Sequence, residues 1–193
     1  MTRRAETTRH LQTLAQHYRE ALSVVPKQLP ALVEMFRKVR SRNGTLWCAG
    51  NGGSAAIASH IATDLTKSAG VRAATFHDPD LLTCFANDFG WERWLEAALR
   101  AYAKPSDAVL LISSSGQSAD LIVAAFYAKR QGLPLATLTG FDEDNLLGEG
   151  ANVSLWVNSR SYNVVEAVHL IWLLMACDVL GYTRGLDVAA KTI

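Results

Sequence analysis

The sequence predicts an α/β fold: a three-layer α/β/α sandwich around a central parallel sheet, preceded by N-terminal helices. Three observations predict it. Short apolar runs alternate with longer segments of helical period. Two of those runs end in small-residue turns that lead straight into helices. The first 43 residues carry helical spacing with no strand pattern. At 193 residues the chain suits one such domain and is short for two, so residues 1–43 read as a helical pair and 44–193 as the α/β core.

Leu11, Leu14, Tyr18 and Leu22 predict a helix over Glu6–Val24, and Leu32, Met35, Phe36 and Val39 a second over Leu29–Ser41. Pro26 separates the two and Asn43-Gly44 closes the second. A strand at Thr45–Ala49, a helix at Ser54–Lys67 and a strand at Ala73–Phe76 follow. A short helix from about Asp80 precedes one through Trp91–Tyr102, which Lys104-Pro105 ends. Next come strand Ala108–Ile112, helix Ser118–Arg130, strands Leu135–Leu138 and Val153–Val157, and a long helix over Asn163–Leu180. Strands separated by helices pair in parallel, with helices covering both faces.

Composition narrows the function. The formal net charge is +1 with no basic stripe, which argues against a direct nucleic-acid partner. The basic Met1-Thr2-Arg3-Arg4 start leads into a polar segment, unlike a signal peptide. Cys48, Cys84 and Cys177 are odd in number and sit among apolar neighbours, as free buried thiols do in a reducing compartment, so a cytoplasmic location is expected. The most apolar stretch, Val164 to Leu180, is interrupted by Glu166, His169 and Asp178 and is short for a membrane span. It reads as a core helix or one shared with another subunit.

The turns carry the chemistry. In Trp47-Cys48-Ala49-Gly50-Asn51-Gly52-Gly53-Ser54, glycines let a ligand approach the backbone, and Ser54 is placed to cap a helix whose free N–H groups attract an anion. In Ser113-Ser114-Ser115-Gly116-Gln117-Ser118, four hydroxyls crowd six residues between a buried strand and a helix. Hydroxyls and turn N–H groups surround phosphate oxygens without an arginine. Both turns lie at strand carboxyl ends, so they are expected to face one pocket.

These motifs, with Asn87-Asp88-Phe89-Gly90 and Leu138-Thr139-Gly140-Phe141, occur in the order and spacing of the sugar isomerase (SIS) family. The resemblance covers nearly the whole chain and is closest to the phosphoheptose isomerase branch. That branch includes sedoheptulose 7-phosphate isomerases and a non-enzymatic relative that binds the bacterial replication initiator. The resemblance therefore implies a sugar-phosphate ligand held at Asn51, Gly52, Gly53, Ser54, Ser113, Ser114, Ser115 and Ser118, with Asp88 near the sugar hydroxyls. It also implies a homotetramer with active sites shared between subunits.

Aldose–ketose exchange through an enediol needs a base at the carbon beside the carbonyl and an acid at the oxygen. In the resembled family a glutamate after the first turn and a histidine on the last helix do this, and with a further histidine and a glutamine they can hold zinc. The glutamate position carries Asp64, the further histidine His60, the glutamine Glu166, and the catalytic histidine Leu174. The substitutions leave two expectations. Either His60, Asp64 and Glu166 form an open divalent-metal site, or His169, three residues from Glu166, supplies the missing proton-transfer group. A histidine in an apolar helix also serves as a hydrogen-bonded core residue. Asn163, where the family often has aspartate, reads as the cap of the last helix. Leu174 keeps a rival open, a non-catalytic sugar-phosphate sensor or protein-binding adaptor.

Overall fold

The computed structural model describes residues 3–182. Helices α1 (Arg3–Leu22) and α2 (Leu29–Ser41) lead into β1 (Leu46–Gly50), α3 (Gly53–Asp64) and β2 (Ala73–Thr75). Then follow α4 (Pro79–Phe89), α5 (Trp94–Tyr102), β3 (Ala108–Ser113), α6 (Ala119–Arg130), β4 (Leu135–Thr139), β5 (Val153–Trp156) and α7 (Tyr162–Tyr182). The five strands form one sheet in the order β2-β1-β3-β4-β5, every pair parallel.

Strand alternation builds two cores. On β3, Ala108, Leu110 and Ile112 face one side and join α2, α3 and α7, while Val109 and Leu111 face the other and join α5 and α6. Helices on both faces bury β3 completely, which is why its sequence is a continuous apolar run. Helix α7 is long and apolar enough to cross a membrane by composition alone. It packs instead on α2 and α3, with Val165, Val168 and Leu173 fully or almost fully buried, as a core helix does.

The lower edge of the sheet is pinned by one carboxylate. Buried Asp107 accepts the backbone N–H of Thr45 at 2.8 Å, the Trp47 indole N–H at 2.9 Å and the Lys104 N–H at 2.9 Å. A Cβ at Gly44 would overlap the Ser106 carbonyl, so glycine lets β1 and β3 start side by side. Asp107→Ala leaves three donors without their acceptor and is expected to lower stability by about 2–3 kcal/mol, read as an earlier urea midpoint at unchanged slope.

Several local expectations are corrected. Helix α3 begins one residue early, so Gly52, at φ +53°, takes the capping position, and Ser54 lies within the first turn without making a cap. The helix ends at Asp64 and continues as a single wide π turn, Leu65–Ala69, which left-handed Gly70 closes. Asn163 likewise lies inside α7, whose first bond runs from Val165 N–H to the Ser161 carbonyl. The short helix near Asp80 is a full 11 residues, because Asp78 caps it through the N–H groups of Asp80 and Leu81. Cys84, on this helix, is exposed, whereas Cys48 and Cys177 are buried.

Candidate active site

Both small-residue turns open onto one cavity of about 120 Å³ at the carboxyl ends of β1 and β3. Asn51 and Ser54 line it from the first turn, Ser113, Ser114, Ser115 and Ser118 from the second, and Tyr162 and Glu166 from the start of α7. Its position is the crevice where the strand order reverses, between β1 and β3.

The serine turn is held from within and from below. Ser113 Oγ accepts the Gly116 N–H at 3.2 Å and lies 3.3 Å from Ser118 Oγ, and Ser115 Oγ accepts the Gln117 N–H at 3.2 Å. Gly116 has φ +65°, and a Cβ there would overlap the Asn145 side chain. Asn145 is buried and bridges Thr139 Oγ1 at 3.0 Å, the Asp142 carbonyl at 2.8 Å and the Gly148 N–H at 2.9 Å. Ser114 differs from its neighbours: its Oγ is buried with no partner among the described residues. A buried hydroxyl without a partner is uncommon, and Ser114 is among the residues that line the cavity.

The first turn is fixed through the second helix. Asn51 Nδ2 donates to both oxygens of Asp120, at 3.0 and 3.1 Å, and the Trp94 indole N–H donates to the same carboxylate at 3.3 Å. Asp120 is 1% exposed in the first turn of α6, where the helix dipole also favours its charge. Sequence reasoning missed Asp120, Asn145 and Tyr162. An acid in the first turn after Ser118 was a readable signal for Asp120. The others follow from tertiary packing alone.

No lysine or arginine lines this cavity, so its attraction for an anion comes from the N-termini of α3 and α6 and from the hydroxyls. Glu166 opposes that attraction. Its carboxylate lies against Gly53 so closely that a Cβ there would overlap it. Glycine at position 53 is what lets Glu166 rest over the N-terminus of α3.

The remaining candidates are placed elsewhere. His60 and Asp64 do pair on one face of α3, Nε2 to Oδ2 at 3.5 Å. Gly53 and Asp64 are the first and last residues of α3, so Asp64 stands about 16 Å down the helix from the cavity. His60, Asp64 and Glu166 therefore do not converge within one chain, and the described residues hold no group of three His, Cys, Asp or Glu able to bind a metal. Asp64 faces the other half of α7, where burial first, then Asp64 and Asp178, push the Cys177 thiol up to about 11. Leu174 is partly buried against the main core. Asp88 is exposed on α4, its carboxylate accepting the Asn87 side-chain N–H at 2.9 Å.

His169 does not reach the cavity. It is fully buried, its Nε2–H donating to the Thr139 carbonyl at 3.0 Å while Nδ1 has no partner among the described residues. Burial lowers its pKa to about 4, and it does not line the cavity. Its physical role is to tie α7 to β4 in the core.

Comparison with known proteins places this architecture. Residues 11–140 match the SIS domain model. The phosphoheptose isomerase of a Roseiflexus species is 34% identical over 158 residues, 79% of this chain and 78% of that protein. The phosphoheptose isomerase of Aromatoleum aromaticum is 31% identical, over 82% and 84%. The structure of the Neisseria gonorrhoeae phosphoheptose isomerase superposes with a TM-score of 0.82 at 25% identity, over 93% of this chain and 99% of that one. The domain match spans both turns that form the cavity, and the relatives align over a longer stretch than it covers. On these grounds the chain belongs to the SIS domain family, in its phosphoheptose isomerase branch.

Proposed function

We propose that this protein is a phosphosugar isomerase that interconverts sedoheptulose 7-phosphate and a heptose 7-phosphate. One observation carries the proposal: two helix N-termini and the four serines of the second turn converge on one cavity, and the buried Ser114 hydroxyl of that turn has no partner among the described residues. The phosphoheptose isomerase relatives supply the substrate class.

In this reading the phosphate enters the cavity, takes the Ser114 hydroxyl and the N–H groups of α3 and α6, and turns Glu166 away from Gly53. Asp64 removes the proton beside the carbonyl, and His60, 3.5 Å from it, exchanges a proton with the enediol oxygen. The roughly 16 Å of helix between Gly53 and Asp64 exceeds the span of a seven-carbon chain, so the Asp64 that acts on a given substrate comes from another subunit. Exposed apolar surface supports such assembly. Helix α4 has no buried residue, its last residue Phe89 and Trp91 just after it are each 53% exposed, and α7 leaves Val179 48% exposed. A homotetramer with shared sites covers these faces.

Zinc does not fit one subunit, since His60 and Asp64 provide two donors and Glu166 is remote. A metal would need ligands from a second subunit. Free Cys48, Cys84 and Cys177 support a reducing, cytoplasmic location. Leu174 favours the second reading, a sugar-phosphate-binding adaptor, because a packed leucine stands at the family's histidine position.

Ser114→Ala tests the binding half. The free protein is expected to keep its stability, since the hydroxyl makes no bond among the described residues, while affinity for sedoheptulose 7-phosphate falls by about 1.5–3 kcal/mol in calorimetry. Equal affinity in the folded variant would move the phosphate out of this cavity.

A further inference from the structure

Among the described residues, Glu166 is the one charged residue that lines the serine cavity. It reaches the cavity from near the start of α7 and sets its carboxylate against Gly53, the first residue of α3. A Cβ on Gly53 would overlap both carboxylate oxygens and the carbon between them. The residue before it, Gly52, holds the cap position and has no side chain to offer, so the first N–H groups of α3 lack a capping side chain. The Glu166 carboxylate therefore rests where the helix dipole favours a negative charge. No cation offsets it: Glu166 takes part in none of the ion pairs among the described residues.

A phosphate that seats itself at this helix end meets a like charge already in place. The cavity is small, so water screens the repulsion only in part. The other acid nearby, Asp120, already accepts from Asn51 on both oxygens and from Trp94 on one, which also removes the Asn51 amide N–H groups as donors to an anion. Inorganic phosphate and a sugar phosphate face the same repulsion from Glu166, but they differ in what they offer the displaced carboxylate. Sugar hydroxyls donate hydrogen bonds to it, and bonds to an ionised acceptor are the stronger kind. Inorganic phosphate brings mostly acceptor oxygens and charge of the same sign.

We propose that Glu166 is a specificity-determining residue of the serine cavity, one that discriminates against inorganic phosphate in favour of phosphate esters carrying hydroxyls. The inference rests on the phosphosugar reading of the same cavity. Calorimetry on the full chain, with inorganic phosphate and sedoheptulose 7-phosphate as separate titrants, compares the unmutated protein with Glu166→Gln and Glu166→Ala, and circular dichroism checks that both variants remain folded. Inorganic phosphate is expected to bind about tenfold or more tightly in both variants, and sedoheptulose 7-phosphate to gain less, so that the preference for the sugar phosphate narrows. A site damaged by the substitution loses affinity, so a merely structural role gives the opposite sign. The inference alone is overturned if sedoheptulose 7-phosphate binds while the affinity for inorganic phosphate is unchanged or lower in the folded variants, or if both ligands gain equally. It is overturned too if only Glu166→Gln gains, which would assign the effect to the new amide N–H. Absence of sedoheptulose 7-phosphate binding by all three proteins overturns the phosphosugar reading and this inference together.

Discussion

Asp64→Asn is expected to lower turnover by about 10²–10⁴ while leaving the fold and the affinity for sugar phosphate nearly unchanged, the signature of a lost general base. The separation follows from position. Asp64 is the last residue of α3 and the phosphate cavity is at the first, so the amide changes the chemistry without touching the binding groups. Its neighbours tolerate the exchange, since the only side chain paired to it within the chain among the described residues is His60, at 3.5 Å and more than half exposed. Steady-state and single-turnover kinetics, with calorimetry for the ligand, measure both halves. A parallel loss of affinity and turnover would assign Asp64 to the architecture of the site.

The second large effect is on stability. His169 is fully buried, Nδ1 has no partner among the described residues, and burial lowers the folded pKa to about 4 from an ordinary 6.5. Below pH 6.5 the unfolded chain takes up a proton that the folded chain refuses. This contribution is therefore fully present above pH 6.5 and declines as pH falls toward 4, by about 3 kcal/mol across that window. His169→Gln keeps a donor for the Thr139 carbonyl and carries no titrating group, so its stability is expected to be flatter in pH over the same window. Urea midpoints at pH 7 and pH 5 for both proteins measure the difference.

The sheet and its two covering layers were legible because the local signals agree. Ala108 to Ile112 is apolar at every position, as a strand buried on both faces must be, and the serines after it mark the ligand edge. Strand and helix boundaries shifted by a few residues where a backbone conformation decides them, as at Gly52, whose positive φ moves the cap one residue before the helix starts. The grouping of the catalytic candidates was less legible. The i,i+4 spacing of His60 and Asp64 put them together correctly, since one helix fixes that relation. Glu166 and His169 sit three apart on α7, yet one reaches the cavity and the other the core, because α7 packs on the sheet and turns successive faces to different neighbours. Nothing in the sequence states which face meets β4. Asp120, which fixes Asn51, is visible only once α6 and the first turn are adjacent.

The central claim is that this chain moves a proton on a sugar phosphate and does more than hold one. The direct measurement is NMR of sedoheptulose 7-phosphate incubated with the purified protein in deuterium oxide, with and without added divalent metal. The account predicts deuterium at the carbon beside the carbonyl, together with an aldose heptose phosphate, both lost in Asp64→Asn. Binding of the sugar phosphate with no deuterium incorporated under either condition would contradict it, and would leave Leu174 as the mark of a pocket kept for recognition.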